Sequence, residues 1–338
     1  RMPGNIRAAD PPLQTCGLAY DRYVFNSSEL MRHYNEQDLE GLVSLEAAID
    51  GLALAFAQYA AGAALVQARV TTELAGLRIN TMAATIPAMG CCGAKVYTVC
   101  RGKFSFVILL FSAADGQLLA TFDAGTLTRL RTAAASALAA RYLARADSRV
   151  LAVFGTGVQA AGHVQALAQV LPIKSIRVVG RARAGAFARE MSALAGVPAT
   201  VEDAAPAVRG ADVIVTATRS MTPLFDGALV QPGCYIAAVG SAYANAAEID
   251  AAAIARCARV VVESKAQALH EAGDLVQAVS AGALSWDRVI ELGALVTGAT
   301  PGRQADDEIT LFDTVGFALE DVAIAALAYA RLLDLGKT

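Results

Sequence analysis

The pattern of apolar and polar residues divides the chain into two parts. Over residues 31–125, apolar and polar positions alternate in short runs, which is typical of strands with one buried face. A helix is predicted over 45–61, with Ser44 as its N-cap. Asp115-Gly116 is a strong hairpin signal. The predicted strands, which together form an antiparallel sheet, are 67–74, 93–99, 104–111 and 117–122.

From Arg149 onward, short apolar strands alternate with helices. These strands are apolar on both faces, as buried parallel strands are, and the helical segments between them, such as 158–170 and 183–195, supply the crossovers. The pattern therefore predicts an α/β fold with a Rossmann-type, doubly wound parallel sheet. Its predicted strands are 150–154, 175–179, 213–216, 235–239 and 259–262.

The remaining segments complete the predicted organisation. Residues 1–30 have no periodicity and are interpreted as a tail or an expression remnant, and 127–148 as an alanine-rich connecting helix. The Rossmann domain is assigned to 149–307, which ends in a polar loop. A last helix over 316–333 has no sheet of its own, so 308–338 is expected to join 31–126 in one domain.

Composition excludes several classes of protein. Lys plus Arg is 28 and Asp plus Glu is 31, a balance that argues against binding to nucleic acid or to an anionic membrane surface. The longest apolar stretch, 52–66, is too short to span a bilayer. Six cysteines and three histidines lack the spacing of a zinc site, so no metal is predicted. No signal segment is recognised, which predicts a cytoplasmic protein with reduced thiols.

The turn after the strand at 150–154 has the pattern GxGxxA and leads into a helix. The first glycine permits a tight turn, the second lets the backbone approach a pyrophosphate, and the helix N-terminus supplies N–H groups. Because this turn opens a complete βαβ unit, it predicts a dinucleotide site. The expected contacts are Gly155, Thr156, Gly157, Val158 and Gln159.

The next strand is followed by two arginines, where an acidic residue would bind the ribose of NAD. Arg181 and Arg183 suit a 2′-phosphate, so the predicted cofactor is NADP, with NAD as the alternative. The other interpretation is that both are solvated residues at a helix start, where each cation opposes the helix dipole by roughly 0.3–1 kcal/mol.

Five motifs extend the pattern over essentially the whole chain from residue 31. They are LTRLRTAAAS at 127–136, GTGVQA at 155–160, ATRS at 217–220, AVGS at 238–241 and LFDTVGFALED at 311–321. Together they resemble the ornithine cyclodeaminase/mu-crystallin family, which includes cyclodeaminases, amino-acid dehydrogenases and cyclic ketimine reductases. The resemblance implies a homodimer and an α+β substrate and dimerisation domain with a mostly antiparallel sheet.

The same resemblance implies the site residues. Further cofactor contacts are expected at Thr216, Ala217, Thr218, Val239, Gly240 and Ser241. The substrate carboxylate would be held by Arg69, Lys95 and Arg131, with Lys95 also catalytic. Lys95 interrupts an apolar strand and Arg131 lies early in a helix, positions that suit a nearby anion. Taken singly, each of these three residues can also be interpreted as an exposed charged side chain.

One departure from the family's pattern bears on the reaction. Cyclodeaminases of the family carry a catalytic acid after the Val-Gly-Ser turn, where this chain has Ala242. Asp313 is the expected catalytic stand-in, and Glu248 is the other candidate. The pair His270-Glu271 has the start of a metalloprotease motif, but Asp274 replaces its second histidine, so the pair is interpreted as surface.

The predicted activity is NAD(P)H-dependent reduction of a small cyclic ketimine carboxylate, of the pyrroline- or piperideine-2-carboxylate type, to an L-imino acid. Reduction of a preformed imine needs orientation and a hydride, whereas cyclodeamination also needs a group to manage protons. The alternatives are ornithine cyclodeaminase, an amino-acid dehydrogenase and a non-catalytic nucleotide-binding protein. In each catalytic case the partner is a small amino or imino acid.

Overall fold

The computed structural model describes residues 32–337, and within this range one of the two sheets has six strands. Along the chain these are β1 Arg32–Tyr34, β2 Leu65–Leu74, β3 Leu77–Ile86, β4 Cys91–Cys100, β5 Lys103–Ser112 and β6 Leu118–Asp123. They lie in the order β1-β6-β5-β4-β3-β2, and all pairs are antiparallel except β1 with β6. The predicted mostly antiparallel sheet is confirmed, although the pattern missed β3 and β1. The tail assigned to 1–30 lies outside the described residues.

Helices flank this sheet. Short α1 spans Glu36–Leu39 and α2 spans Leu45–Ala60, where the Ser44 side chain accepts from the backbone N–H of Ala47 as a cap does. Helix α3, Gly125–Leu143, starts earlier and ends earlier than the predicted connecting helix. Its alanines are buried on nearly every side, so neighbouring helices pack close to its backbone.

The second sheet has eight strands in the described part of the chain, and all are parallel. Their order is β13-β12-β14-β11-β10-β7-β8-β9, which reverses direction beside β7, as in a doubly wound fold. This confirms the predicted fold class. The strands are β7 Val150–Phe154, β8 Ser175–Val179, β9 Ala199–Val201, β10 Val213–Thr216, β11 Tyr235–Ala238, β12 Cys257–Val262, β13 Val289–Glu291 and β14 Ile309–Asp313.

Seven α-helices in residues 158–296 follow or separate these strands. They are α4 Val158–Val170, α5 Ala184–Ala195, α6 Ala204–Val208, α7 Ala251–Ala255, α8 Lys265–Glu271, α9 Gly273–Ser280 and α10 Leu292–Val296, before the last helix. No helix between residues 32 and 337 is long and apolar enough to cross a membrane.

The predicted boundary at residue 308 needs correction. Strand β14 belongs to the parallel sheet, where it pairs with β11 on one side and β12 on the other. All five of its residues are buried, so it is a central strand of the Rossmann unit. The chain therefore returns to the parallel sheet before it leaves for the last helix.

That last helix, α11, spans Ala318–Asp334 and packs on α2, β3 and β4 of the antiparallel unit. Gly93 of β4 faces it closely, since a Cβ there would lie 3.2 Å from Val322 Cγ2. Two acidic residues in its first turn, Glu320 and Asp321, are fully buried. Buried carboxylates require cations or donors beside them, and these mark the site described next.

Candidate active site

The glycine turn lies at the carboxyl end of β7 and opens α4. Gly155 has a φ of +112°, and a Cβ there would collide with the carbonyl oxygen of Ala217, so only glycine fits. Gly157, by contrast, has nothing within 4 Å of its Cβ position. The turn is thus tight on its inner side and open on its outer side, as a pyrophosphate cradle at a helix N-terminus requires.

The loops after β10 and β11 lie at the same edge and are joined by Glu248. One oxygen of this buried carboxylate accepts from the backbone N–H of Thr218 at 2.7 Å, and the other accepts from that of Gly240 at 2.8 Å. Burial raises the pKa of Glu248 above its ordinary value, and the hydrogen bonds oppose the shift. Because both oxygens are used in this way, Glu248 shapes the loops that carry the expected contacts at 216–218 and 239–241.

The two arginines after β8 lie beside the glycine turn. Gly180 packs against the Thr156 side chain, since a Cβ there would lie 2.7 Å from its Cγ2. Arg181 and Arg183 are both exposed, and Arg183 lies 3.7 Å from the exposed Glu190. Among residues 32–337, no carboxylate pairs with Arg181. Arg181 is therefore available to a ligand next to the cradle, and Arg183 lies there in an exposed pair with Glu190.

Lys95 is the most deeply buried of the three expected carboxylate ligands. It points from β4 toward α3 and α11, and its Nζ donates to Thr128 Oγ1 at 2.7 Å and to Asp321 Oδ1 at 3.0 Å. The ring of Phe106 lies 4.8 Å away. Burial lowers the pKa of Lys95 to about 8, although Asp321 opposes the shift. An ammonium has three donors, so one remains for a ligand.

Arg131 reaches the same place from α3. Its Nη1 donates to Glu320 Oε2 at 2.6 Å, and its Nε lies 3.1 Å from Asp321 Oδ1. Within the described residues, no acceptor lies within hydrogen-bonding distance of Nη2, which lies against Gly316, where a Cβ would be only 2.8 Å away. The pKa of Arg131 is raised by Asp321 and Glu320, in spite of burial. Burial raises the pKa of Glu320 itself to about 8.

Arg69 was expected on the polar face of its strand, but β2 has a bulge between Gln67 and Val70 that alters the register. Bulges re-aim side chains, and Arg69 Nη2 here donates to the carbonyl oxygens of Val315 at 2.8 Å and Gly316 at 3.2 Å. The structure therefore places Arg69, like Arg131, against the turn that links β14 to α11.

Four acidic residues near these cations were missed from the sequence: Glu263, Glu271, Glu320 and Asp321. Glu271 was interpreted as surface, yet its Oε2 accepts from Arg69 Nη1 at 2.6 Å. The sequence did hold a signal for the pair at 320–321. Acidic residues on an otherwise apolar helix face are buried, and buried acids need cationic or donor partners. Glu263 follows β12 and accepts from the backbone N–H of Gly316 at 3.1 Å.

Asp313 lies at the carboxyl end of β14 and is only 1% exposed. Burial, together with nearby Asp274 and Glu263, raises its pKa well above the ordinary value. Asp274 accepts from the backbone N–H groups of Glu248 and Ile249, both at 2.7 Å, and burial raises its pKa to about 7. The catalytic role assigned to Asp313 stays a prediction.

The glycine turn after β7 and the turn after β14, against which Arg69 and Arg131 lie, are thus both at the carboxyl edge of the parallel sheet. Residues 30–336 match the model of the ornithine cyclodeaminase/mu-crystallin family. The chain belongs to that family.

Named members of this family, some with solved structures, are similar to this chain over most of their length. The chain is 34% identical to a Delta(1)-pyrroline-2-carboxylate reductase of Bacillus cereus over 316 residues, which covers 89% of this chain and 96% of the relative. A probable ornithine cyclodeaminase from Bordetella pertussis Tohama I is 44% identical with a TM-score of 0.88, covering 90% of this chain and 98% of that one. The Thermococcus litoralis Delta(1)-pyrroline-2-carboxylate reductase, solved with NADH and L-proline, is 31% identical with a TM-score of 0.87 and the same coverages.

The two glycines of the cradle should respond differently to alanine. Gly157→Ala adds a methyl group only to the open side, so the melting temperature without ligand should stay unchanged while NADPH affinity falls at least about tenfold, roughly 1.4 kcal/mol. Gly155→Ala should lower the melting temperature itself, because the methyl group meets Ala217. Thermal unfolding with and without NADPH measures both. Unchanged NADPH affinity in Gly157→Ala would place the pyrophosphate elsewhere.

Proposed function

We propose that this protein reduces a small cyclic ketimine carboxylate, of the Δ1-pyrroline-2-carboxylate type, to an L-imino acid with a nicotinamide cofactor. The observation that carries the proposal is the convergence of Arg69, Lys95 and Arg131 around the turn after β14 and the start of α11, at the same carboxyl edge of the parallel sheet as the glycine turn. The name of the Bacillus relative and the L-proline bound to the Thermococcus enzyme support the same substrate class.

In this proposal the protein's own residues bind and orient the substrate. Arg131 Nη2 and one donor of Lys95 are free to bind its carboxylate, and the buried Asp321 holds both cations in place. The bound cofactor supplies the hydride. Burial excludes water from the anchor and strengthens its electrostatic attraction for the carboxylate. Asp313, the predicted catalytic acid, keeps a raised pKa at the nearby sheet edge.

Ornithine cyclodeaminase is the second candidate, because the 44% identical Bordetella protein carries that name. Against it stands Ala242, which has no carboxyl group to move the protons of the released amine. Glu248 does not replace that group, since its two oxygens bind the backbone N–H groups of Thr218 and Gly240.

The two reactions are distinguished by direct assay. Purified protein with Δ1-pyrroline-2-carboxylate should oxidise NADPH and form L-proline, and with Δ1-piperideine-2-carboxylate it should form L-pipecolate. In each case the amount of product should equal the amount of NADPH oxidised. With L-ornithine and catalytic NAD⁺ it should release no ammonia. Stoichiometric ammonia and proline from ornithine, without ketimine reduction, would establish the cyclodeaminase instead.

We propose NADP as the preferred cofactor, because Arg181 and Arg183 lie exposed beside the cradle. NADPH should bind at least about tenfold more tightly than NADH, which corresponds to roughly 1.4 kcal/mol from charge-assisted phosphate contacts. Arg181→Asp should remove or reverse this preference in a fluorescence titration. Arg189→Asp, the same charge change on exposed α5, is the control and should keep it. Equal affinities in the unchanged protein would refute the assignment.

The anchor should lose affinity for carboxylates above pH 8. As the pH rises through 8, Lys95 loses its positive charge and Glu320 gains a negative one, and both changes oppose anion binding. Cyclopentanecarboxylate is a suitable probe because it has no nitrogen to titrate. Calorimetry should show its affinity falling by about tenfold per titrating group between pH 7 and pH 9. A constant affinity would exclude Lys95 and Glu320 from the anchor.

The homodimer implied by the resemblance is also a proposal. Leu74 and Leu77, which pair across β2 and β3, are 81% and 53% exposed. Large apolar side chains exposed together on a sheet favour coverage by another protein surface, and a second copy of this chain supplies one by symmetry.

A further inference from the structure

The turn that lacks a carboxylate at Ala242 packs directly on the junction between α8 and α9. A Cβ on Gly273, the first residue of α9, would collide with the carbonyl oxygens of Tyr243 and Ala246 and lie 2.9 Å from Ser241 Oγ. Glu271, the last residue of α8, is two positions away along the chain. It therefore lies next to the turn from which the expected acid is missing.

The two oxygens of Glu271 are in different environments. Oε2 accepts from Arg69 Nη1 at 2.6 Å and from Gln267 Nε2 at 2.8 Å, so the carboxylate is held in place. Among residues 32–337, no donor lies within hydrogen-bonding distance of Oε1. The side chain keeps 18% of its surface exposed. One oxygen is thus fixed to the carboxylate anchor while the other is open.

The other acidic groups around the cations are not available in this way. Glu320 and Asp321 are 0% exposed and hold Arg131 and Lys95. Glu248 is saturated by backbone N–H groups, and Asp313 is 1% exposed. Glu271 combines a fixed position beside Arg69 with a partly exposed side chain.

The chemistry of the substrate class matches this position. In an α-imino carboxylate, the nitrogen and the carboxylate are attached to the same carbon. A group that binds the nitrogen must therefore lie next to the cations that bind the carboxylate, as Glu271 lies next to Arg69.

We propose that Glu271 is a catalytic residue whose Oε1 accepts a hydrogen bond from the N–H of the protonated ketimine, in place of the acid missing at 242. The inference rests on the proposed function. During reduction the imine carbon gains a hydride, the C=N π pair becomes the nitrogen lone pair, and the reduced nicotinamide is oxidised. The proton already on nitrogen stays there, and the carboxylate favours this cationic, electrophilic form of the substrate.

The experiment compares two ligands that differ only at the ring nitrogen. L-Proline and cyclopentanecarboxylate share the carboxylate and the ring size, and calorimetry measures both on NADP⁺-loaded protein. The wild type should prefer L-proline by at least about tenfold. Glu271→Gln should bring the two affinities within about twofold and leave that of cyclopentanecarboxylate nearly unchanged, since only the charged acceptor for nitrogen is lost. It should also lower kcat for ketimine reduction by about 10²–10⁴-fold.

A merely structural role gives a different result. If Glu271 only orients Arg69, both ligands weaken together, KM rises and the preference for L-proline persists, which overturns the proposal. Ala242→Asp in the Glu271→Gln background should restore part of the preference, because it returns a carboxylate beside the same turn.

The remaining controls separate folding and function. Glu40→Gln removes the partner of Arg129 at an exposed site and should leave kcat and the ligand preference unchanged. If Glu271→Gln fails to fold, Glu271→Asp tests the proposal in its place. Its side chain is one methylene shorter, so it should still reduce the preference for L-proline over cyclopentanecarboxylate. Wild-type protein that neither reduces the ketimine nor binds L-proline refutes the proposed function. Wild-type protein that does both, with the preference intact in the variants, refutes only the role of Glu271.

Discussion

The buried ionic cluster between β4, α3 and α11 is the interaction on which the arrangement of the molecule depends. Lys95 and Arg131 share the carboxylate of Asp321, and Glu320 binds Arg131 from the same helix turn. Removing one partner of a buried pair costs about 3–5 kcal/mol, because the other charge is left without compensation. The cluster thus requires α11 to lie on the antiparallel sheet, although the strand that precedes it belongs to the parallel sheet. The proposed substrate anchor and the constraint on topology are the same set of side chains.

Much of the fold was predictable because strong local patterns coincide with the buried faces. The helix at 45–60 is capped by Ser44 as its sequence indicates, and five parallel strands lie where short apolar runs were found. Strand β14 was missed because five residues between a polar loop and a helix carry too little periodicity to be recognised. Its position is decided by pairing with β11 and β12, which are far away in sequence.

The site was predictable only where a charge contradicts its surroundings. Lys95 interrupts an apolar strand, and this local conflict indicated a nearby anion, whereas its burial beside Asp321 became known only from the structure. Arg69 gave no such signal, since a bulge in β2 that the alternation does not reveal changes where it points. Glu271 looked like an ordinary solvated helix end, and its relevance comes from Arg69, 202 positions earlier in the chain. Contacts of that range depend on tertiary packing.

Side chains from both units form hydrogen bonds to the turn between β14 and α11. From the parallel unit, Glu263 accepts from the backbone N–H groups of Val315 and Gly316. From the antiparallel unit, Arg69 donates to the carbonyl oxygens of the same two residues. The backbone N–H and carbonyl groups of both residues are thereby bonded, the first to the parallel unit and the second to the antiparallel unit, so the turn joins the two sheets through polar contacts. Arg78, which donates to the exposed Tyr243 hydroxyl group, adds a second polar contact between the two units, so the antiparallel unit is tied to the parallel one at two separate places.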